Sequence, residues 1–258
     1  MPFSRRSLAT PTALAALLLA SITWSTPAIS GQAQIAVATN FAAPMQAVAE
    51  RLTRTTGHTL RITQGSTGKL YAQIRNGAPF DALLAANTEA PEQLERDGLA
   101  VPGTRFTYAV GKLVLWSASP GRVDADGAVL RRSDLGKVAY ANPKTAPYGL
   151  AAQEVMSAMG LNERLAPRLV MGESIGQTYT FVHSGNADVG FVALSQVMES
   201  GQVQSGSLWQ PPQHLYAPIR QEAVLLKRGA DNPAAQALMR LLKSPEIRTL
   251  IQSYGYEP

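Results

Sequence analysis

The stretch QIAVATNFAAPMQAVAERL (residues 34–52) decides the fold. Its first five residues (34–38) are mostly apolar and favour a buried strand, and the large apolar residues from Phe41 to Leu52 recur at helical spacing. Thr39 and Asn40 stand at the junction, where Asn40 is a candidate N-cap for a helix that Gly57 ends. The stretch therefore predicts a strand that passes directly into a helix.

The alternation of strand and helix continues along the chain. Residues 59–64 favour a second strand, the motif GSTG (65–68) leads into a second helix, and residues 80–86 favour a strand buried on both faces. Alternation at this spacing predicts parallel βαβ units in an open sheet, whose ligands bind beyond the carboxyl ends of the strands.

A second α/β series starts near Lys137, after a β-rich run (108–117) and a polar loop (118–133). It contains strands at 138–141 and 188–194 and helices at 150–159 and 174–183. A β run at 222–226, a last helix at 233–244 and the segment 245–254 then return to the first series. We therefore predict an α/β protein of two lobes, with lobe 1 at residues 34–111 and 220–258 and lobe 2 at residues 112–219.

Residues 1–33 predict a signal peptide, because Arg5 and Arg6 precede an apolar stretch (13–22) that is too short to span a bilayer. The arginine pair also resembles a twin-arginine signal, but the ordinary secretory route is favoured. The sequence contains no cysteine, which excludes disulfides, thiolate metal sites and a catalytic thiol. We expect a soluble periplasmic protein.

The charges and histidines favour neither a nucleic-acid-binding protein nor an enzyme. The 23 Lys and Arg residues and 18 Asp and Glu residues are scattered singly rather than clustered. The three histidines lie far apart, without metal-ligand spacing, and no GxSxG nucleophile motif is present. A secreted α/β hydrolase stays an alternative, because distant residues can still form a triad.

Three strand-to-helix junctions carry hydroxyls or amides: Thr39-Asn40, residues 65–68 and residues 172–175. The free backbone N–H groups and the positive end of the dipole at a helix N-terminus both favour an anion. The polar side chains at these junctions are either N-caps alone or donors to an anion. If the junctions meet in one cleft, they can hold a dianion without any cationic residue.

Six motifs carry a resemblance to a known family: VATNF (37–41), GSTGKL (65–70), GAPFD (77–81), NPKTAPYG (142–149), GESI (172–175) and GNADVGFVA (185–193). Together they resemble the molybdate-binding proteins of ABC transporters, within the type II periplasmic binding-protein fold. The resemblance covers nearly the whole mature chain. It implies that each lobe is a mixed, mainly parallel sheet flanked by helices, with a hinge of two crossing segments near residues 111–115 and 218–222.

The resemblance also implies the ligand-binding residues, which are Thr39 and Asn40 through side chain or amide, the Ser66 hydroxyl, a group at Tyr148, and the backbone N–H of Ile175. It implies an ABC-transporter permease as membrane partner, a monomeric chain, and neither a cofactor nor a catalytic residue. Molybdenum would be bound as an intact oxyanion, by these same residues.

This sequence departs from the commoner family pattern at two places. Thr39-Asn40-Phe41 replaces a serine in an Ala-Ser-Leu setting, and Ala193 stands where a tyrosine is usual. The chain therefore resembles a variant branch, in which Tyr148 either replaces the missing hydroxyl or only packs between the lobes.

The chemistry of the junctions suits an oxyanion that carries no proton. Molybdate, tungstate and sulfate are fully deprotonated at neutral pH and need only donors, whereas phosphate gains from a carboxylate that accepts its proton. Glu173 is the one carboxylate within a junction, and phosphate would be favoured if Glu173 pointed into the cleft. Sulfate and phosphate are thus the alternative ligands to molybdate or tungstate.

Overall fold

Two five-stranded sheets, each flanked by helices, form the framework of the protein. The computed structural model describes residue 1 and residues 30–257, so most of the predicted signal peptide (1–33) lies outside the described residues. Within the described part of the chain, no helix has the length and apolar character needed to cross a membrane. The predicted α/β class with two sheets is confirmed.

The strands follow one another in the chain as β1 (Gln32–Ala38), β2 (Thr59–Gly65), β3 (Ala82–Leu84), β4 (Phe106–Gly111), β5 (Leu113–Ser117), β6 (Val138–Ala141), β7 (Leu169–Gly172), β8 (Val189–Ala193), β9 (Met198–Glu199), β10 (Gln202–Val203), β11 (Ser207–Trp209) and β12 (Ile219–Leu225). The α-helices are α1 (Ala42–Thr56), α2 (Thr67–Arg75), α3 (Glu89–Arg96), α4 (Pro147–Ala158), α5 (Asn162–Leu165), α6 (Ile175–His183), α7 (Pro233–Leu241) and α8 (Pro245–Gln252).

The first sheet has the strand order β2-β1-β3-β12-β4, and the second has the order β11-β5-β8-β6-β7. In the first sheet β1 runs parallel to β2 and β3, while β12 is antiparallel to β3 and β4. In the second sheet β6 runs parallel to β7 and β8, and β5 is antiparallel to β8 and β11. Each sheet is therefore mixed, with its parallel strands next to the helices that connect them.

The chain passes between the sheets twice. The β-rich run predicted at 108–117 is two strands, β4 and β5, which belong to different sheets and are separated by Lys112. The chain returns between β11 and β12. Beside the first crossing, the backbone of Glu257 pairs with Val110 through two hydrogen bonds of 2.8 and 2.9 Å. The C-terminal end thus packs on the segment that joins the two halves.

The helical periodicity of the opening stretch is confirmed in α1, whose Met45, Val48 and Leu52 are buried against the first sheet. Gly57 ends the helix with a φ of 73°, a left-handed conformation that glycine adopts without a steric penalty. Six elements have no counterpart in the sequence prediction, namely α3, α5, β7, β9, β10 and β11. The strand predicted at 80–86 is shorter than expected and covers only Ala82–Leu84.

Asp188 fixes the start of β8 in the second sheet. Its carboxylate accepts hydrogen bonds from Arg122 Nε at 2.9 and 3.1 Å and from the Gly136 N–H at 2.9 Å. The hydrogen bonds from Arg122 lower the pKa of Asp188 below its ordinary value, with a smaller contribution from Gly136. The ionised carboxylate therefore joins three separate loops of the second half.

We expect Asp188→Asn to lower the free energy of unfolding by about 1–3 kcal/mol at pH 7, because charged partners lose their acceptor. A carboxyl whose pKa is lowered by folding stabilises the protein above its unfolded pKa of about 3.9 and loses this effect as the pH falls. The difference from wild type should thus shrink below about pH 4. Urea unfolding at pH 7 and at pH 3.5 measures it, with the exposed Asp126→Asn as control. Equal stability of wild type and Asp188→Asn at pH 7 would refute this role.

Candidate functional site

A small cavity lies between the two halves of the protein, at the ends of strands β1 and β2 and the first turns of helices α2, α4 and α6. All five residues predicted to bind a ligand line it, namely Thr39, Asn40, Ser66, Tyr148 and Ile175. The other lining residues are Ala38, Gly65, Thr67, Ala86, Ala146 and Pro147. None of these side chains is charged, so any anion bound here is held by neutral groups alone.

The Ser66 side chain is free to bind a ligand. Ser66 occupies the N-cap position of α2, yet its hydroxyl makes no capping hydrogen bond. The residue is only 5% exposed, and its Oγ has no hydrogen-bond partner among the described residues. A buried hydroxyl without a partner costs about 1–3 kcal/mol, a cost that a ligand oxygen in the cavity can offset. The interpretation of Ser66 as only a helix cap is therefore wrong.

Ser174, in contrast, is an ordinary helix cap. Its Oγ accepts a hydrogen bond of 3.2 Å from the Gln177 N–H at the start of α6. The next residue, Ile175, is the first residue of α6, where the backbone N–H has no acceptor within the helix. The third junction thus offers the cavity a backbone donor and the positive end of a helix dipole, while its serine holds the helix end in place.

We expect Ser66→Ala and Ser174→Ala to affect the ligand-free protein differently. Ser174→Ala removes a cap and should lower the unfolding free energy by about 0.5–2 kcal/mol. Ser66→Ala removes an unpartnered hydroxyl and should leave stability unchanged or slightly higher. Thermal unfolding followed by circular dichroism compares the two variants. A lower melting temperature for Ser66→Ala than for Ser174→Ala would return Ser66 to the role of a cap.

The side-chain amide of Asn40 is hydrogen-bonded within the protein. Its Nδ2 donates to Gln221 Oε1 at 2.8 Å and to the Tyr256 hydroxyl at 2.9 Å, so both of its side-chain N–H groups have acceptors. The sequence prediction of Asn40 as an N-cap is wrong, because α1 begins at Ala42, after a 3₁₀ turn over Thr39–Phe41. At the start of this turn, the backbone N–H groups of Thr39 and Asn40 have no acceptor within a helix.

Tyr148 presents a phenol that stays protonated. It is 1% exposed, and its oxygen accepts a hydrogen bond of 3.0 Å from Gln221 Nε2. Burial raises the pKa of Tyr148 well above its ordinary value, and the phenols of Tyr256 and Tyr108 raise it further. A protonated phenol next to the cavity is a hydrogen-bond donor over the whole physiological pH range.

Direct contacts hold the two halves together around the cavity. The Gly68 N–H donates to the Thr145 carbonyl at 2.9 Å, and Lys69 Nζ lies 2.7 Å from a carboxylate oxygen of Glu173. The Glu173 carboxylate thus pairs with a lysine and is not part of the cavity lining. The condition that would have favoured phosphate, a carboxylate pointing into the cleft, is not met at Glu173.

The two halves approach each other closely at Gly176. A Cβ atom at this position would lie 2.5 Å from Thr39 Cγ2, which is closer than such atoms can approach. Glycine therefore allows the first turn of α6 to reach the 3₁₀ turn of the other half. Any side chain at this position would push the two walls of the cavity apart.

A wider groove of about 630 Å³ lies beside the cavity and shares four lining residues with it. Its walls carry both signs of charge, from Glu89, Glu154, Arg96, Lys144 and Arg220. A mixed set of charges, most of them exposed, provides no defined site for a small dianion. The smaller, uncharged cavity is therefore the candidate binding site, although the groove is larger.

The described residues give the hydrolase alternative no support. Neither the cavity nor the groove is lined by a histidine, and no group of three His, Asp or Glu side chains in the described part of the chain could hold a metal ion. His58 Nδ1 accepts from the Gly31 N–H, and His183 stacks on Tyr179. The hydroxyls in the cavity thus have no neighbouring base that could activate them as nucleophiles.

Three buried polar residues next to the cavity have no signal in the sequence: Gln221, Tyr256 and Ser195. The Ser195 hydroxyl donates to the Asn40 carbonyl at 2.8 Å, and the Tyr256 hydroxyl lies 2.9 Å from both of these groups. Gln221 and Tyr256 are 181 and 216 residues away from Asn40 in the chain. Local sequence patterns cannot predict contacts at such separation.

The chain matches the family model of bacterial extracellular solute-binding proteins over residues 33–257. It is 53% identical over 227 residues to the molybdate-binding protein ModA of Azotobacter vinelandii, covering 88% of this chain and 90% of that protein. It is 52% identical over 230 residues to ModA of Rhodobacter capsulatus, covering 89% and 90% of the two chains.

Two solved structures are similar to this chain over 88% of its length. The periplasmic molybdate-binding protein of Azotobacter vinelandii superimposes with a TM-score of 0.85 at 42% sequence identity, covering 88% of this chain and 99% of that one. The sulfate-binding protein SubI of Mycobacterium tuberculosis superimposes with a TM-score of 0.71 at 12% identity, covering 88% and 87%. At that level of identity the likeness concerns the fold alone.

Proposed function

We propose that this chain, which belongs to the family of bacterial extracellular solute-binding proteins, captures molybdate in the cavity between its two lobes and delivers it to an ABC importer. The molybdate-binding proteins of Azotobacter vinelandii and Rhodobacter capsulatus, at 53% and 52% identity, support this choice of ligand. Tungstate, which is also a tetrahedral dianion, is the second expected ligand.

The observation that carries the proposal is the set of neutral donors around one cavity. The Ser66 hydroxyl lacks a partner, the Tyr148 phenol is protonated, and the backbone N–H groups of Thr39, Asn40 and Ile175 begin helical turns. Helix N-termini and fixed dipoles stabilise an anion without adding a charge of their own. A dianion can therefore be bound and released without the separation of a buried ion pair.

The donor set also supports an anion without a proton. Every polar group assigned to the ligand can donate, and no acidic side chain lines the cavity. A protonated oxyanion such as hydrogen phosphate would bring a donor that finds no strong acceptor, and an unpaired donor weakens binding. Molybdate, tungstate and sulfate meet this condition, and the size of the closed cavity is then expected to separate molybdate from the smaller sulfate.

The contacts between the lobes support binding by closure. Lobe 1 (34–111 and 220–258) supplies Thr39, Asn40 and Ser66, and lobe 2 (112–219) supplies Tyr148 and Ile175, so the anion touches both lobes only when they are closed. A ligand with more contacts in the closed form shifts the population towards it. We infer that the closed, monomeric protein in the periplasm is the form that the membrane permease recognises.

Calorimetric titration with molybdate, tungstate, sulfate and phosphate tests the ligand. We expect tight binding of molybdate, and of tungstate as a similar dianion, with much weaker heats for sulfate and none for phosphate. Ser66→Ala should weaken molybdate binding by about 1.5–3 kcal/mol, since a buried charge loses a donor. Equal affinities for sulfate and molybdate would contradict the assignment of the ligand, and unchanged binding by Ser66→Ala would remove Ser66 from the site.

Gly176→Ala tests lobe closure by two effects of opposite sign. Alanine is favoured over glycine in a helix by up to about 1 kcal/mol, so the ligand-free protein should be no less stable. The added methyl group meets Thr39, and molybdate affinity should fall roughly tenfold to a hundredfold. Calorimetry and thermal unfolding measure both effects, with the exposed Thr180→Ala on the same helix as control. Wild-type affinity in Gly176→Ala would show that the lobes need not approach this closely.

A further inference from the structure

A network of buried polar side chains contacts the phenol of Tyr148 next to the cavity. Its centre is Gln221 of β12, whose side chain is completely buried. Gln221 Oε1 accepts from Asn40 Nδ2 at 2.8 Å and from the Tyr108 hydroxyl at 3.0 Å, and Gln221 Nε2 donates to the Tyr148 oxygen at 3.0 Å. One amide thus contacts three residues from three elements.

The backbone of the first sheet creates the room for this amide. Strand β12 pairs with β4, and the register of this pairing shifts at Gln221 and Glu222. Irregularities of this kind redirect side chains. Gly111 at the end of β4 has no side chain, and a Cβ atom there would lie 2.0 Å from the Tyr148 oxygen and 2.6 Å from Gln221 Nε2. Glycine at position 111 is therefore required for the phenol of lobe 2 to reach the amide of lobe 1.

The hydrogen bonds of the network limit the directions in which the Tyr148 proton can point. Two donors, Asn40 Nδ2 and the Tyr108 hydroxyl, face Gln221 Oε1, so Gln221 Nε2 is the group that faces Tyr148. The Tyr148 oxygen accepts from this N–H and cannot donate back to it. The phenol also lines the cavity, so its single proton is available to a ligand there.

We propose that Gln221 is a positioning residue that acts through Tyr148. It holds the phenol oxygen as an acceptor, so that the only proton of Tyr148 is donated to the bound oxyanion. Because Gln221 lies in the first sheet and Tyr148 begins a helix of the second, the donor becomes oriented only when the lobes close. This inference rests on the proposed function and adds a residue outside the cavity lining that determines affinity.

The test is a double-mutant cycle read by calorimetric titration with sodium molybdate. Wild-type binding of molybdate tests the proposed function, and its absence would count against that function rather than against the role of Gln221. We expect Tyr148→Phe and Gln221→Met each to weaken binding roughly tenfold to a hundredfold. In the Tyr148→Phe background, Gln221→Met should weaken molybdate binding by less than about threefold, because the hydroxyl through which Gln221 acts is gone.

Tyr108→Phe is the matched control. Tyr108 contacts the acceptor side of the same amide and lies outside the cavity lining, so its loss should change molybdate affinity by less than about threefold. Gln221→Glu is the second variant if Gln221→Met does not fold. This variant keeps the acceptor for Asn40 and Tyr108 but replaces the group that donates to Tyr148. It should weaken molybdate binding at least about tenfold, and this loss should be smaller in the Tyr148→Phe background.

Three results would overturn the inference. The first is an equal cost of Gln221→Met with and without the Tyr148 hydroxyl, which would mean that the glutamine acts by another route. The second is wild-type affinity in Tyr148→Phe, which would mean that the phenol proton does not reach the ligand. The third is a loss in Tyr108→Phe as large as in Gln221→Met, which would reduce the role of Gln221 to general support of the core.

Discussion

The proposed binding of an anion depends on backbone N–H groups that begin helical turns and line one cavity from two separate sheets. A strand that ends and passes directly into a helical turn leaves several N–H groups without an acceptor, and these must be satisfied from outside the helix. Here the turn that starts at Thr39 and the helix that starts at Ile175 bring such groups to opposite walls of one cavity. The anion is thereby an alternative partner for groups that helix geometry leaves free.

Closure of the lobes follows from the same constraint. Neither wall alone surrounds an anion, and the walls come together through contacts that are individually modest, such as the exposed ion pair of Lys69 with Glu173 and one backbone hydrogen bond from Gly68 to Thr145. Buried hydrogen bonds between the lobes, such as that of Ser195 with the Asn40 carbonyl, add to these contacts. A ligand that makes more contacts in the closed form shifts the population towards it by the difference in its binding free energy.

Apolar periodicity and glycine positions are local signals, and they predicted most of the strands and helices but not α3, α5, β7, β9, β10 or β11. The five residues expected in the cavity came from the resemblance to a known family. The sequence was not sufficient where long-range contacts determine the outcome. Asn40 looks like a helix cap in isolation, yet its amide turns inward to Gln221 and Tyr256, which lie far along the chain. The run at 108–117 could not be divided between two sheets, since strand pairing depends on partners that β-propensity does not specify.

Anomalous scattering at the molybdenum edge, from crystals of the protein grown with molybdate, tests the central claim most directly. The account predicts one strong molybdenum peak in the cavity, with the oxyanion within hydrogen-bonding distance of Ser66 Oγ, the Tyr148 hydroxyl and the backbone N–H of Ile175. A peak in the wider groove, or a molybdate held by lysine and arginine side chains, would contradict it.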